Sequence, residues 1–202
     1  MLIQIHPKNP DERKIKIIAD SLRKGGIIIY PTDTVYALGC DIEHHEAIER
    51  ICKLKNINPL KAQLSFICND LSHLSEYTKA IGTPLYRFLK QYLPGPFTFI
   101  LPASKKVPKL LRTKKETVGI RVPDNLICKA IIAELGHPII STSLPIPDGE
   151  EILSDPEIIF ELFEDRVDYV IDGGFGGMVT STIVDCTLSP PEVIREGLGE
   201  II

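Results

Sequence analysis

The chain has 202 residues, of which 44% are hydrophobic and 25% charged, with a net charge of −4. These values describe one soluble globular domain, 1–202, with a sizeable core. They exclude a generally basic nucleic-acid binder, and no apolar run approaches the roughly 18–20 residues of a membrane-spanning helix.

Leu2 to His6 alternates as a short strand. Asn9 reads as the N-cap of a helix, with Pro10 in its first position and Glu12 three residues after the cap. Ile15, Ile18 and Leu22 mark the buried face of that helix, and Gly25-Gly26 ends it. The apolar run from Gly26 to Tyr30 is a buried strand. It leads into Pro31-Thr32-Asp33-Thr34-Val35-Tyr36, a loop rich in hydroxyls. Such a loop can orient a small polar ligand, or it can be a turn that satisfies its own backbone. His45 to Lys55 is predicted as a helix and Gln63 to Cys68 as a strand. Helical pieces follow around Leu71 to Tyr77 and Pro84 to Tyr92, the second stopped by Pro94-Gly95-Pro96. Phe97 to Leu101 and Thr117 to Val122 are predicted strands. Between them run Lys105, Lys106, Lys109, Arg112, Lys114 and Lys115 with no acid among them. Asp124 or Asn125 caps a helix ended by Gly136, and His137 to Ser141 is a strand. Glu157 to Phe163 is a short helix and Val167 to Ile171 a strand. A glycine loop, 173–177, precedes strands over Thr182 to Asp185 and Glu192 to Arg195. Several strands follow one another without a helix, so the fold class is α/β with a twisted mixed sheet flanked by helices.

The familiar phosphate loop, dinucleotide fingerprint, nucleophile elbow and zinc spacings are absent. Cys40, Cys52, Cys68, Cys128 and Cys186 are far apart and odd in number, which reads as buried free thiols in a reducing cytoplasm. The N-terminus turns polar after Ile5 and has no signal-peptide core. What remains for chemistry is hydroxyls and cations at strand ends: Thr32, Thr34, Arg121, Ser141, Ser143, Ser181 and Arg195. Ligands of α/β sheets gather there. No charged nucleophile and no protein metal set stands among them, which favours a site that binds and orients.

The segment from Tyr30 to Gly39 resembles the signature of the YrdC/YciO family, the threonylcarbamoyl-adenylate synthases and their relatives. Pro94-Gly95-Pro96-Phe97-Thr98, Gly119-Ile120-Arg121-Val122-Pro123, Ser141-Thr142-Ser143, Ser181-Thr182-Ile183-Val184-Asp185 and Arg195-Glu196-Gly197 match further family motifs, in order. The resemblance implies a YrdC/RibB-like sheet with a basic concave groove. It implies condensation of L-threonine, bicarbonate and ATP, with Mg²⁺ on the ATP, into threonylcarbamoyl-AMP and pyrophosphate for the t6A modification of tRNA. No protein nucleophile is needed. On the threonine side it implies Thr32, Thr34, Tyr36, Arg121 and Ser181. On the ATP side it implies Lys55, Lys61, Ser141, Ser143 and Arg195.

The sequence departs from the synthase pattern at two places. Ile57 or Asn58 stands where the K-x-R arginine is expected, and Leu144-Pro145 where an asparagine is expected. Both losses weaken a triphosphate site and make the chain most similar to the YciO branch. The alternative is a paralogue without synthase activity that binds tRNA, rRNA or other double-stranded RNA through Lys105, Lys106 and Lys109.

Overall fold

A computed structural model describes residues 1–58, 64–108, 111, 116–146 and 152–202. Lys61 and Lys109, with Gln63, Arg112, Lys114 and Lys115, lie outside the described residues.

Among the described residues, ten strands form one sheet: β1 (Leu2–Gln4), β2 (Ile27–Tyr30), β3 (Ala37–Asp41), β4 (Ser65–Ile67), β5 (Phe97–Pro102), β6 (Thr117–Arg121), β7 (Ile139–Ser143), β8 (Tyr169–Asp172), β9 (Thr182–Asp185) and β10 (Glu192–Arg195). Their spatial order is β1-β8-β2-β3-β7-β4-β6-β5-β9-β10. Pairs β1/β8, β2/β8, β4/β6 and β5/β9 are parallel; the other neighbours are antiparallel. The sheet is therefore mixed, as the run of consecutive strands predicts.

Six helices pack on it among the described residues: α1 (Glu12–Arg23), α2 (His45–Leu54), α3 (Leu74–Tyr77), α4 (Thr83–Tyr92), α5 (Leu126–Leu135) and α6 (Pro156–Phe163). Side chains alternate across each strand and feed two cores. Ile27, Ile29, Phe66, Ile140 and Val170 face α2, α3, α4 and α6. Ile28, Tyr30, Ile67, Ile139 and Ile171 face α1 and α5. Each fully buried side chain of this size contributes about 1.5–3 kcal/mol.

Helix ends follow local chemistry, with one correction. The cap of α1 is Asp11, not Asn9: the Asp11 carboxylate accepts from the N–H groups of Arg13 and Lys14. A carboxylate at the start of the helix also complements its dipole, so the helix begins two residues later. Gly25, at φ +83°, carries the chain out of α1, and Gly136, at φ +89°, out of α5. Asn125 caps α5 through Cys128 N–H. Strand β3 is an addition to the sequence reading. It pairs antiparallel with β2, so the loop after Tyr30 closes a hairpin. All five cysteines are buried free thiols.

Candidate functional site

One face of the sheet changes character partway across. Over β1, β8 and β2 it is aliphatic and covered by α1 and α5. Along β7 and β4 the same face passes from Ile139 and Ile67 to Ser141 and Ser65, and on β6 it carries Gly119. Gly39 is the cross-strand partner of Ser141, Ser141 of Ser65, and Ser65 of Gly119. Cross-strand partners share a face, so Ser141, Ser65 and Gly119 form a row of short side chains, with the Tyr30 ring lying over Gly39 at its end. Arg121, on β6, stands at its border.

Arg121 is buried to 8% exposure, which is unusual for a guanidinium. Its Nη2 donates to Asp33 Oδ1 at 2.5 Å, to Thr34 Oγ1 at 2.6 Å and, more weakly, to Thr32 Oγ1 at 3.3 Å. Asp33 Oδ2 accepts from Asp124 N–H at 3.1 Å. The loop after β2 is thereby clamped to the end of β6 and the start of α5. Among the described residues, Arg121 Nε is buried and has no hydrogen-bond partner. Buried donors are almost always satisfied, so this one is unusual.

The loop is both turn and site. Thr32 Oγ1 donates to Val35 O at 2.7 Å and accepts from Thr34 N–H at 3.1 Å, so its hydroxyl serves the turn. The two threonine hydroxyls lie 3.1 Å apart. Tyr36 is used differently. Its hydroxyl donates to Gly174 O and accepts from Gly173 N–H, and burial pushes it up to about 12. Tyr36 thus pins the glycine loop against the threonine loop. Gly177 N–H donates to Thr34 O and completes that seam.

A second hydroxyl pair lies on β5 and at the start of β9: Thr98 Oγ1 and Ser181 Oγ, 2.9 Å apart and buried. Arg195 of β10 donates to Ser181 O at 2.7 Å and to its Oγ at 3.4 Å. Burial, and then the charge of Arg121, pulls Arg195 below its ordinary value.

The nucleotide-side candidates fall on the other flank. Tyr30 donates to Ser141 Oγ at 2.7 Å. Lys55, the residue after α2, donates to Ser143 O at 2.7 Å and Ser143 Oγ at 3.1 Å, and its burial lowers its pKa. Ser141 is buried and Ser143 exposed, both on β7. Leu144 turns into the core, and Pro145 offers no side-chain amide.

The structure thus brings Thr32, Thr34, Arg121, Ser181 and Arg195 to one region and joins Lys55 to Ser143. Of the lysine cluster, Lys106 is placed by an ion pair among the described residues. Lys106 pairs with Glu76 of α3 at 3.4 Å, on the layer that packs against the opposite face. Asp33, Thr98, Tyr30 and Ser65 are additions. Asp33 and Thr98 lie inside quoted motifs, but no spacing marks them as partners of Arg121 and Ser181.

A large mixed sheet with helices on both faces, one of which carries guanidiniums and hydroxyls at its strand ends, defines the class of this α/β protein. A family model of the Sua5/YciO/YrdC proteins, described as telomere recombination, matches residues 20–197. The chain belongs to this family. It is 44% identical over 198 residues to the uncharacterized protein YciO of Escherichia coli K12, across 98% of this chain and 95% of that protein. The crystal structure of E. coli YciO superposes with a TM-score of 0.92 at 43% identity, covering 99% and 97% of the two chains. The threonylcarbamoyl-AMP synthase of Idiomarina loihiensis is 35% identical over 81% of this chain and 88% of its own length. The crystal structure of Pyrococcus abyssi Sua5 complexed with L-threonine superposes with a TM-score of 0.88 at 30% identity, over 98% of this chain and 57% of that one. The twisted mixed α/β sheet expected from sequence is thus shared with solved structures.

Proposed function

We propose that the protein is an ATP-dependent synthase of the threonylcarbamoyl-AMP type, acting on L-threonine, bicarbonate and MgATP. The observation that carries this reading is the buried guanidinium of Arg121 held against the hydroxyls of Thr32 and Thr34. Relationship to synthases, and to a Sua5 crystallised with L-threonine, supports it.

In the proposed reaction the amine of threonine takes up bicarbonate with loss of water, giving an N-carboxylate. One oxygen of that carboxylate attacks the α-phosphorus of ATP, and the bond to pyrophosphate breaks. The substrate supplies its own nucleophile, so the protein has only to align the reactants and offset charge. Alignment alone can supply about 7–11 kcal/mol of barrier reduction. Arg121 pairs with the threonine carboxylate through its free donors, while Asp33 and Thr34 hold it in place. Thr98 and Ser181 offer hydroxyls to the rest of the amino acid. Arg195, Lys55, Ser141 and Ser143 serve the nucleotide, with donors aimed where charge builds up. Magnesium arrives with the triphosphate; Asp33, the carboxylate at the border of the site, is already engaged by Arg121 and Asp124.

The test is pyrophosphate release by the purified protein. Release that requires both threonine and bicarbonate is expected. Release that ignores either one, or none with all three substrates present, sinks the reading.

A further inference from the structure

Tyr30 is the last residue of β2 and is wholly buried. Its ring lies against Gly39 on the neighbouring strand: a Cβ at position 39 would sit 2.7 Å from ring carbon Cε1. That is closer than real Cβ atoms come to such a group. Gly39 is in turn the cross-strand partner of Ser141 on β7. The ring therefore spans β3, over the one position there that leaves room, and its hydroxyl meets Ser141 Oγ at 2.7 Å.

The direction of that bond matters. Burial raises the Tyr30 hydroxyl far above its ordinary value, so it keeps its proton and donates it. Ser141 Oγ accepts. A serine hydroxyl has one proton and two lone pairs. With one lone pair of Ser141 taken by Tyr30, its own proton remains to be donated elsewhere. A phenylalanine would fill the same volume without burying a hydroxyl. The phenol therefore serves the serine, and the glycine serves the phenol.

We propose that Tyr30 is a positioning residue of the site: across the gap left by Gly39, it fixes Ser141 as a hydrogen-bond donor to a phosphate oxygen of ATP. This rests on the placement of the nucleotide at Ser141 under the proposed function. A chain of hydrogen bonds in a low-dielectric setting polarises its last donor, which favours an anion over water. It also stops the serine hydroxyl from rotating to act as an acceptor, which would repel phosphate.

Calorimetry with MgATP and, separately, with L-threonine tests this on the wild type, Tyr30→Phe, Ser141→Ala, the double variant and Gly39→Ala. Melting curves check that each variant folds. Tyr30→Phe and Ser141→Ala should each weaken ATP binding by about tenfold, the scale of one hydrogen bond to a charged group. The double variant should bind no more weakly than Ser141→Ala, because the tyrosine acts only through the serine. Gly39→Ala keeps both hydroxyls but displaces the ring, and should weaken ATP binding as Tyr30→Phe does. Threonine binding should be unchanged throughout. ATP binding unchanged in Tyr30→Phe but weakened in Ser141→Ala overturns the inference and leaves the proposed function standing, as do fully additive effects. A wild type that does not bind ATP, or a silent Ser141→Ala, removes the nucleotide from this position and the inference with it.

Discussion

The two halves of one sheet face are built from the same alternation and end in opposite chemistry. Under α1 and α5 the inward positions are Ile28, Ile139 and Ile171, closed over by Ile18, Leu22, Ile131 and Leu135. Two residues further along β7, and on the neighbouring β4 and β6, the same face carries Ser141, Ser65 and Gly119. The first half gains stability by removing area from water. The second gives up that gain, and Arg121 there is kept from being a net cost by Asp33 and two threonines. Burial of a charge is tolerated only with such partners. The difference separates what holds this fold together from what the fold is for.

Arg121→Ala breaks the comparison most severely, because it should damage both function and stability. It leaves the Asp33 carboxylate buried without its partner, at a cost of about 3–5 kcal/mol. Denaturant unfolding should show that loss, and threonine binding should vanish. Arg121→Lys should not rescue binding, since an ammonium lacks the guanidinium's spread of donors. In the covered half, Ile131→Ala should cost about 2–5 kcal/mol in the same unfolding experiment. Below the new melting temperature that variant should still bind threonine as the wild type does. In the open half, Ser181→Ala should do the reverse. Its stability should fall by about 1 kcal/mol or less, while threonine affinity, read by calorimetry, drops several-fold for the lost hydrogen bond. The smallest effect belongs to Lys106→Ala. Its pair with Glu76 is solvent-exposed, so stability should shift by about 0–1 kcal/mol and pyrophosphate release should be unchanged. A large loss of activity in that variant would move the functional surface toward the lysine cluster.

Much of the architecture is legible along the chain, and the failures have identifiable causes. Strands β9 and β10 lie where short apolar runs between turn signals place them, and α5 runs from its asparagine cap to its left-handed glycine as predicted. Strand β3 escapes notice because Ala37-Leu38-Gly39-Cys40-Asp41 is buried on both faces, so no polar–apolar alternation marks it. The start of α1 slips by two residues because asparagine-proline and proline-aspartate both look like a helix entry, and only the geometry of the Asp11 carboxylate decides. The members of the site are legible as motif residues, but their partnerships are not. Thr98 meets Ser181 because β5 lies beside β9, and Ser65 enters the row of short side chains because β4 is inserted between β7 and β6. That strand order is a property of the packed sheet. The cavity-like contact between Tyr30 and Gly39 is equally invisible until β2 and β3 are paired.

The clasp of Arg195 on Ser181 has a consequence for how the protein comes into being. The bonds that define the site join residues distant in the chain: 87 positions separate Arg121 from Thr34, and 83 separate Ser181 from Thr98. Contacts of such long sequence range form late and slowly. A ribosome has to deliver residue 195 before the last guanidinium can take its place. Until then the bonds from Arg195 to Ser181 are missing, and that flank of the sheet face is incomplete.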